Sequence, residues 1–147
     1  MKNNTAIVKE VIINAPIARV WKALTDRDEM EKWYFNIKEF KAEVGFEFSF
    51  IAQNKECVDF LHLCKITKVE TNKLLQHTWR YNGYPGDSLV TYELFDEEGK
   101  TRLKLTHEGI ESFMGDIHPM LAKDNFNEGW EQIIKTAIKN YVEQTMQ

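Results

Sequence analysis

Three histidines and a cysteine carry most of the chemistry this chain could do. His62, Cys64, His77 and His107 fall in stretches where apolar and polar residues alternate: DFLHLCKI, LQHTWRY and LKLTHEG. Alternation of that kind sends every second side chain to one face of a strand. The parity places all three imidazoles and the thiol on a common apolar face. An imidazole there could serve as a general base, anchor the polar end of a ligand, or bind a metal. His62 and Cys64, two residues apart, could pair as base and thiolate. Each group also has a plainer reading: a histidine satisfied by a backbone carbonyl, and a cysteine acting as a small core residue. No Asp or Glu joins the histidines on that face, so a metal set is incomplete, and no third group orients a Cys–His pair. Neither a metal nor a cofactor is expected, and no catalytic residue is assigned.

The face that holds the histidines is crowded with rings. Phe46, Phe48, Phe50, Phe60, Trp79, Tyr81, Val90, Tyr92, Leu94, Leu103 and Leu105 share its parity, while Glu47, Asp59, Lys65, Arg80, Glu93, Arg102 and Lys104 take the other. Apolar walls with a few polar groups are the usual make-up of a small-molecule pocket of a few hundred Å³. The residues expected to line one are Trp33, Phe48, Phe50, Phe60, His62, His77, Trp79, Tyr81, Tyr92, Leu105, His107, Met120, Phe126, Trp130 and Ile134. Glycines flank Tyr84 and Pro85 in the segment 81–87, which reads as a gate or an ordinary hairpin loop; Met114 and Met120 could form the opposite lip. Hydrolytic chemistry has no foothold: there is no GxSxG, no HExxH, no glycine-rich phosphate loop and no pair of inward carboxylates.

The elements that must position these residues can be read from periodicity. A β-branched run over 5–13 predicts a strand; Pro16 opens a helix that ends near Thr25-Asp26. A short second helix follows over 28–34, with Asp26 or Asp28 available as its cap. The period then changes to two, predicting strands at 37–43, 46–53, 57–69, 74–82, 88–96 and 101–109 in an antiparallel meander. From Phe126 to about Thr145, Trp130, Ile133, Ile134, Ala137, Ile138, Tyr141 and Val142 recur at helical spacing.

At 147 residues the chain suits one domain, 1–147, with a substantial core. Its 43% hydrophobic and 29% charged residues match an ordinary soluble protein, and a net charge of −4 with dispersed basic residues argues against nucleic acid. No stretch is long and apolar enough for a signal core or a membrane span, so a cytoplasmic protein without membrane contact is expected. Cys57 and Cys64 stand seven apart around one strand, on opposite faces, so no disulfide joins them.

With those residues in place the chain resembles the START-like, or SRPBCC, superfamily, and within it the homologues of the activator of heat-shock protein ninety ATPase. The segments that carry the resemblance are INAPIARVWKALTDRDEMEKWY (13–34), VGFEFSF (44–50), KITKVETNKLLQHTW (65–79), GKTRLKLTHEG (99–109) and GWEQIIKTAIKNYVE (129–143). The resemblance implies an α+β helix-grip fold. Its curved antiparallel sheet of six to seven strands wraps a long C-terminal helix, and two short helices follow the first strand. It also implies a hydrophobic cavity between sheet and helix. Known roles in the superfamily are ligand carriage, cyclisation or dehydration of aromatic precursors, and co-chaperone activity. The favoured expectation is a binding protein for a small apolar or aromatic molecule or a lipid, a monomer or weak homodimer. A chaperone partner and a cofactor-free cyclase or dehydratase are the alternatives.

Overall fold

A computed structural model of the protein describes residues 6–34, 37, 39–53, 59–84, 86–113 and 123–144. The element order is strand β1 (Ile7–Ile13), helices α1 (Ile17–Thr25) and α2 (Arg27–Trp33), then strands β2 (Glu47–Gln53), β3 (Asp59–Glu70), β4 (Leu74–Tyr81), β5 (Ser88–Glu97) and β6 (Lys100–Glu108). A short 3-10 turn (Ile110–Phe113) leads toward the C-terminal helical stretch. The six strands form one antiparallel sheet in the order β1-β6-β5-β4-β3-β2. Strands β2 to β6 meander, and β1 closes against the last of them. This is the helix-grip arrangement: one sheet, two short helices after the first strand, and a C-terminal helix over the apolar face.

Local chemistry explains the helix ends. Asp26 terminates α1 and caps α2, its carboxylate accepting from the backbone N–H of Asp28 and Glu29. Pro16 stands at the N-cap of α1, one position before the helix proper. Val20, Trp21, Ala23 and Leu24 turn inward from α1, and Met30 and Trp33 from α2.

The strand expected over 37–43 is not formed among the described residues. Its apolar members Ile37 and Phe40 are three apart rather than two, and both are buried. The backbone around 41–46 folds into tight turns instead, with Glu43 N–H donating to Lys41 O and Phe46 N–H to Glu43 O. Side-chain burial anchors this segment, not a ladder of strand hydrogen bonds. β3 carries a register shift between Ile66 and Lys68, so the parity that holds from Phe60 to Ile66 is lost beyond it.

The C-terminal stretch comprises α3 (Lys123–Gln132), a π-helical turn (Ile133–Ala137) and α4 (Ile138–Gln144). Its fully inward residues are Phe126, Trp130, Ile134, Ile138 and Val142, a strict four-residue repeat. In a regular α-helix each such step overshoots a full turn by about 40°. The wider π turn takes up part of that drift and keeps the five residues aimed at the sheet.

Polar contacts tie α4 down at two places. Lys139 Nζ donates to Ile12 O, and the Glu143 carboxylate accepts from both Lys139 and the backbone N–H of Asn14. Glu29 of α2 pairs with Arg19 of α1 at 2.6 Å and accepts the Tyr141 hydroxyl of α4 at 3.1 Å. The Arg19 guanidinium also lies over the Tyr141 ring, 5.6 Å from its centre. Arg19 and Glu29 are mostly shielded from water, so their bond carries weight that an exposed pair would not. Glu29→Gln is expected to cost about 1–3 kcal/mol in urea unfolding. A loss indistinguishable from zero would show that the three helices are held by packing alone.

Candidate functional site

Strand register brings the candidate residues face to face. Phe48 stands opposite Cys64, Phe50 opposite His62, and His62 in turn opposite Tyr81. Across the next pairs His77 meets Val90, Val90 meets His107, and Tyr92 meets Leu105. All of these side chains are buried, as the alternation predicts. The Phe50 and His62 rings stack at 4.4 Å, and Trp79 stands edge-on to both.

One hydrogen-bonded chain joins helix to sheet. Trp130 of α3 donates its indole N–H to His107 Nδ1 at 2.9 Å. An indole can only donate, so His107 Nδ1 must be the bare nitrogen and Nε2 must carry the proton. Nε2–H then donates to Ser88 Oγ at 2.8 Å, and the Ser88 hydroxyl donates to the Trp79 carbonyl at 2.6 Å. Every proton in this relay has a single allowed place. Burial, and then the nearby His77, push the His107 pKa down to about 3.

The other two histidines are also held neutral. His62 donates Nδ1–H to Phe60 O and His77 donates Nδ1–H to Thr78 O, each at 2.9 Å. Burial lowers both to about 4. Burial likewise raises Cys64 far above the usual thiol range, so it is a thiol and not a thiolate. Among the described residues no group of His, Cys, Asp and Glu gathers as a metal set. As arranged, the interior holds neutral imidazoles able to accept a hydrogen bond, a neutral thiol, and hydroxyls. Among the described residues it holds no charged acid.

Burial drives the phenols of Tyr34, Tyr81 and Tyr92 upward, and the Cys64 thiol adds to each shift. The Tyr92 and Tyr34 oxygens are 3.4 Å apart, longer than an ordinary hydroxyl bond. Tyr81 accepts the Trp79 indole N–H at 2.8 Å.

The remaining candidates divide by position. Trp130 packs on Trp79, Tyr92 and His107, so helix and sheet are in direct ring contact there. Phe126 meets Tyr81, His107 and Phe113, whereas Phe60 meets Tyr81 and Tyr84. Phe48 sits apart, against Phe40 and His77. Leu105 and Ile134 are fully buried. Trp33 turns its N–H onto the Ala23 carbonyl, which fixes it to α1. Met120, with Met114, Pro85 and Cys57, lies outside the described residues. A groove of about 550 Å³ runs along β2, lined by Glu39, Glu47, Phe48, Ser49, Phe50, Ile51 and Leu61, at the sheet edge and not under the helix.

The loop that leaves β4 is pinned at its far end. Asp87 N–H donates to Ser112 Oγ, and that hydroxyl donates back to Asp87 O. Gly86 (φ +104°) lies so close to the same turn that a Cβ there would stand 2.5 Å from Ser112 O. This end of the loop is anchored, as a hairpin connection would be.

Sequence reasoning passed over three residues of this interior. Tyr34, absent from the expected lining, turns its ring onto Phe50 and brings its hydroxyl toward Tyr92. Ser88 opens the strand expected at 88–96 and shares the parity of Val90 and Tyr92, a signal sufficient to identify it. Phe113 follows the last strand in a 3-10 turn, where no period marks it.

Comparison with known proteins places this geometry. The family described as "Activator of Hsp90 ATPase homolog 1-like protein" matches residues 14–143. Among solved structures, protein CV1439 from Chromobacterium violaceum is similar over 95% of this chain and 97% of its own, at 20% identity and a TM-score of 0.80. Bacillus halodurans protein BH1534 is 26% identical, with 97% and 100% of the two chains covered and a TM-score of 0.72. DynU16, from the dynemicin biosynthetic locus, matches 98% of this chain but 48% of its own, at 16% identity and a TM-score of 0.72. No curated protein matches the sequence.

The three neutral histidines make stability depend on acid. Unfolded, each takes up a proton below its ordinary value near 6.5; folded, they do so only near 4, 4 and 3. The unfolded chain therefore binds more protons in between, and stability falls as pH drops from about 6 to about 4. With three sites the slope approaches about 4 kcal/mol per pH unit. Urea unfolding at pH 6.5, 5.5 and 4.5 measures it, and His107→Gln is expected to lower the slope by about a third. Equal slopes in the two proteins would remove His107 from this account.

Proposed function

The chain belongs to the family of activator of Hsp90 ATPase homolog 1-like proteins, and we propose that it is a binding protein for a small, neutral, apolar or aromatic molecule. One observation supports this most: the described interior is walled by rings and carries polar groups that are all uncharged. The buried polar side chains there are His62, His77, Ser88, Thr91, Thr101 and His107, with no Lys, Arg, Asp or Glu among them. A carboxylate or phosphate ligand would find no counter-charge and would have to shed its water unpaid. A neutral ring system sheds no charge hydration on entry and gains apolar contact, at about 25 cal/mol for each Å² removed from water.

The guest's expected place is beside the Trp79–Trp130 contact, toward Tyr34 and Tyr92, whose hydroxyl oxygens approach to 3.4 Å. The long Tyr34–Tyr92 approach of 3.4 Å is a weak bond that a ligand oxygen could improve. Turnover has less support, because histidines held near 4 are neutral bases with no charged acid beside them. A chaperone-directed role draws on the family description. The exposed large apolar residues do not favour it: Val8 and Ile12 lie on β1, whereas Val44 and Ile51 lie at the opposite edge of the sheet.

Native mass spectrometry of freshly purified protein is expected to show a retained small molecule. Failing that, neutral bicyclic aromatics should raise the melting temperature by several degrees and quench tryptophan emission through Trp79 and Trp130. Carboxylated analogues of the same ring should do neither. Equal response to neutral and anionic probes, or no response to either, would overturn the reading.

A further inference from the structure

The geometry points to the open edge of β2 as a self-association surface, where a second copy of this chain adds its own β2 antiparallel to the first. This is independent of what the interior binds. The β2–β3 ladder has a definite phase. Ile66 N–H donates to Phe46 O, and the pairing runs on from Glu47–Lys65 to Gln53–Asp59. Hydrogen-bonded positions alternate along an antiparallel pair, so Phe48 and Phe50 bond to β3 while Glu47, Ser49 and Ile51 do not. Their partners on β3 agree. Opposite Glu47, Lys65 turns its N–H to Thr78 Oγ1; opposite Ile51, Leu61 O accepts from Asn82 N–H. The backbone groups of Glu47, Ser49 and Ile51 therefore point out of the sheet, which among the described residues ends at β2. They border the open groove of about 550 Å³ that runs along this strand.

The two edges of the sheet are not alike. β1 lies beside the C-terminal helix, whose Lys139 donates to Ile12 O and whose Glu143 accepts from Asn14 N–H, while Lys9 pairs with Glu131. Charged side chains over an edge guard it against strand addition. β2 has the opposite character. Ile51 is 63% exposed, and Leu61 and Leu63, half-buried, share its outward face as the cross-strand partners of Ile51 and Ser49. An open edge beside exposed apolar side chains is a place where strands add. With β1 guarded, head-to-tail addition is blocked, and the closed solution pairs β2 with β2 about a two-fold axis.

The residues of β2 suit that symmetry. An axis at Phe50 sets Ser49 opposite Ile51 of the second copy, and Ile51 opposite its Ser49, so the outward backbone groups meet. Glu47 is the one charged residue of β2, and the axis leaves the two Glu47 positions about 20 Å apart along the ladder. The groove's other carboxylate, Glu39, is an exposed side chain outside the ladder. Ile51, Leu61 and Leu63 of both copies join in one apolar stripe across the seam. Seven residues of edge bury little area, so the dimer is a weak one.

Sedimentation velocity on the full chain, over concentrations on the order of 10 µM to 1 mM, is expected to show the monomer passing to a species of twice its mass. Ile51→Lys should weaken the pairing roughly tenfold or more, and Ser49→Glu should do the same at the paired position. Both positions are exposed, so both variants should fold, which far-UV circular dichroism checks. Mixing the two should restore association, because the register centred on Phe50 sets the new charges, of opposite sign, against each other. Ile12→Lys, at an exposed apolar site on β1, should leave the pairing unchanged. A monomer throughout the range refutes the second copy and leaves the edge to a foreign strand. A dimer indifferent to Ile51→Lys, sensitivity to Ile12→Lys, growth beyond the dimer, or mixed variants that stay apart would each overturn the assignment.

Discussion

The indole of Trp130 meets the imidazole of His107, and the interior is organised around that bond. It is the polar link between the rings of the closing helix and the centre of the sheet, and it fixes three protons in succession. Trp130 can only donate, His107 must therefore accept at Nδ1, Ser88 receives the Nε2 proton, and the Trp79 carbonyl ends the series. A buried polar ring is tolerable only when each of its atoms is satisfied. Here that condition is met by residues from α3, β6, β5 and β4, so the bond holds four elements at one point.

The neutrality of the interior follows from this link. A protonated His107 could no longer accept from Trp130, so the fold and the uncharged state support each other. His62 and His77 are held neutral by burial alone, against their bonds to backbone carbonyls, which favour the protonated ring. The chemistry left over is that of neutral donors and acceptors on ring walls, suited to recognising an uncharged guest by shape and one or two hydrogen bonds. General acid catalysis would need a group that keeps its proton near neutral pH and can give it up, and buried imidazoles of such low pKa do neither.

Much of this was legible because strand parity is a geometric rule with few exceptions. Over 48–51, over 60–66, and again across β4 and β6, alternation identified the buried side chains residue by residue, and in β5 it did so except at Thr91. It failed where another constraint took over. At 37–43 the apolar residues fall three apart, which serves anchoring but not a ladder, and turn hydrogen bonds replaced strand pairing. Beyond Ile66 a bulge resets the phase, and nothing in the residue types announces it. The site was harder to read than the fold. Parity says that His107 points inward, but not that its partners are an indole and a serine hydroxyl. Tyr34 ends the helix expected over 28–34 at the spacing of Met30 and Trp33, but helix spacing does not say that its hydroxyl meets Tyr92.

The π turn at Ile133–Ala137 has a consequence for how this helix tolerates change in length. A π turn is an α-helix carrying one surplus residue, stored as a wide loop of backbone. Loss of a single residue from that stretch would let the backbone revert to ordinary α bonding while Trp130 on one side and Ile138 on the other kept their bearings. The same loss anywhere else between Phe126 and Val142 would swing every later side chain by about a quarter-turn away from the sheet. The helix thus carries its own slack, placed just beyond the tryptophan that anchors it.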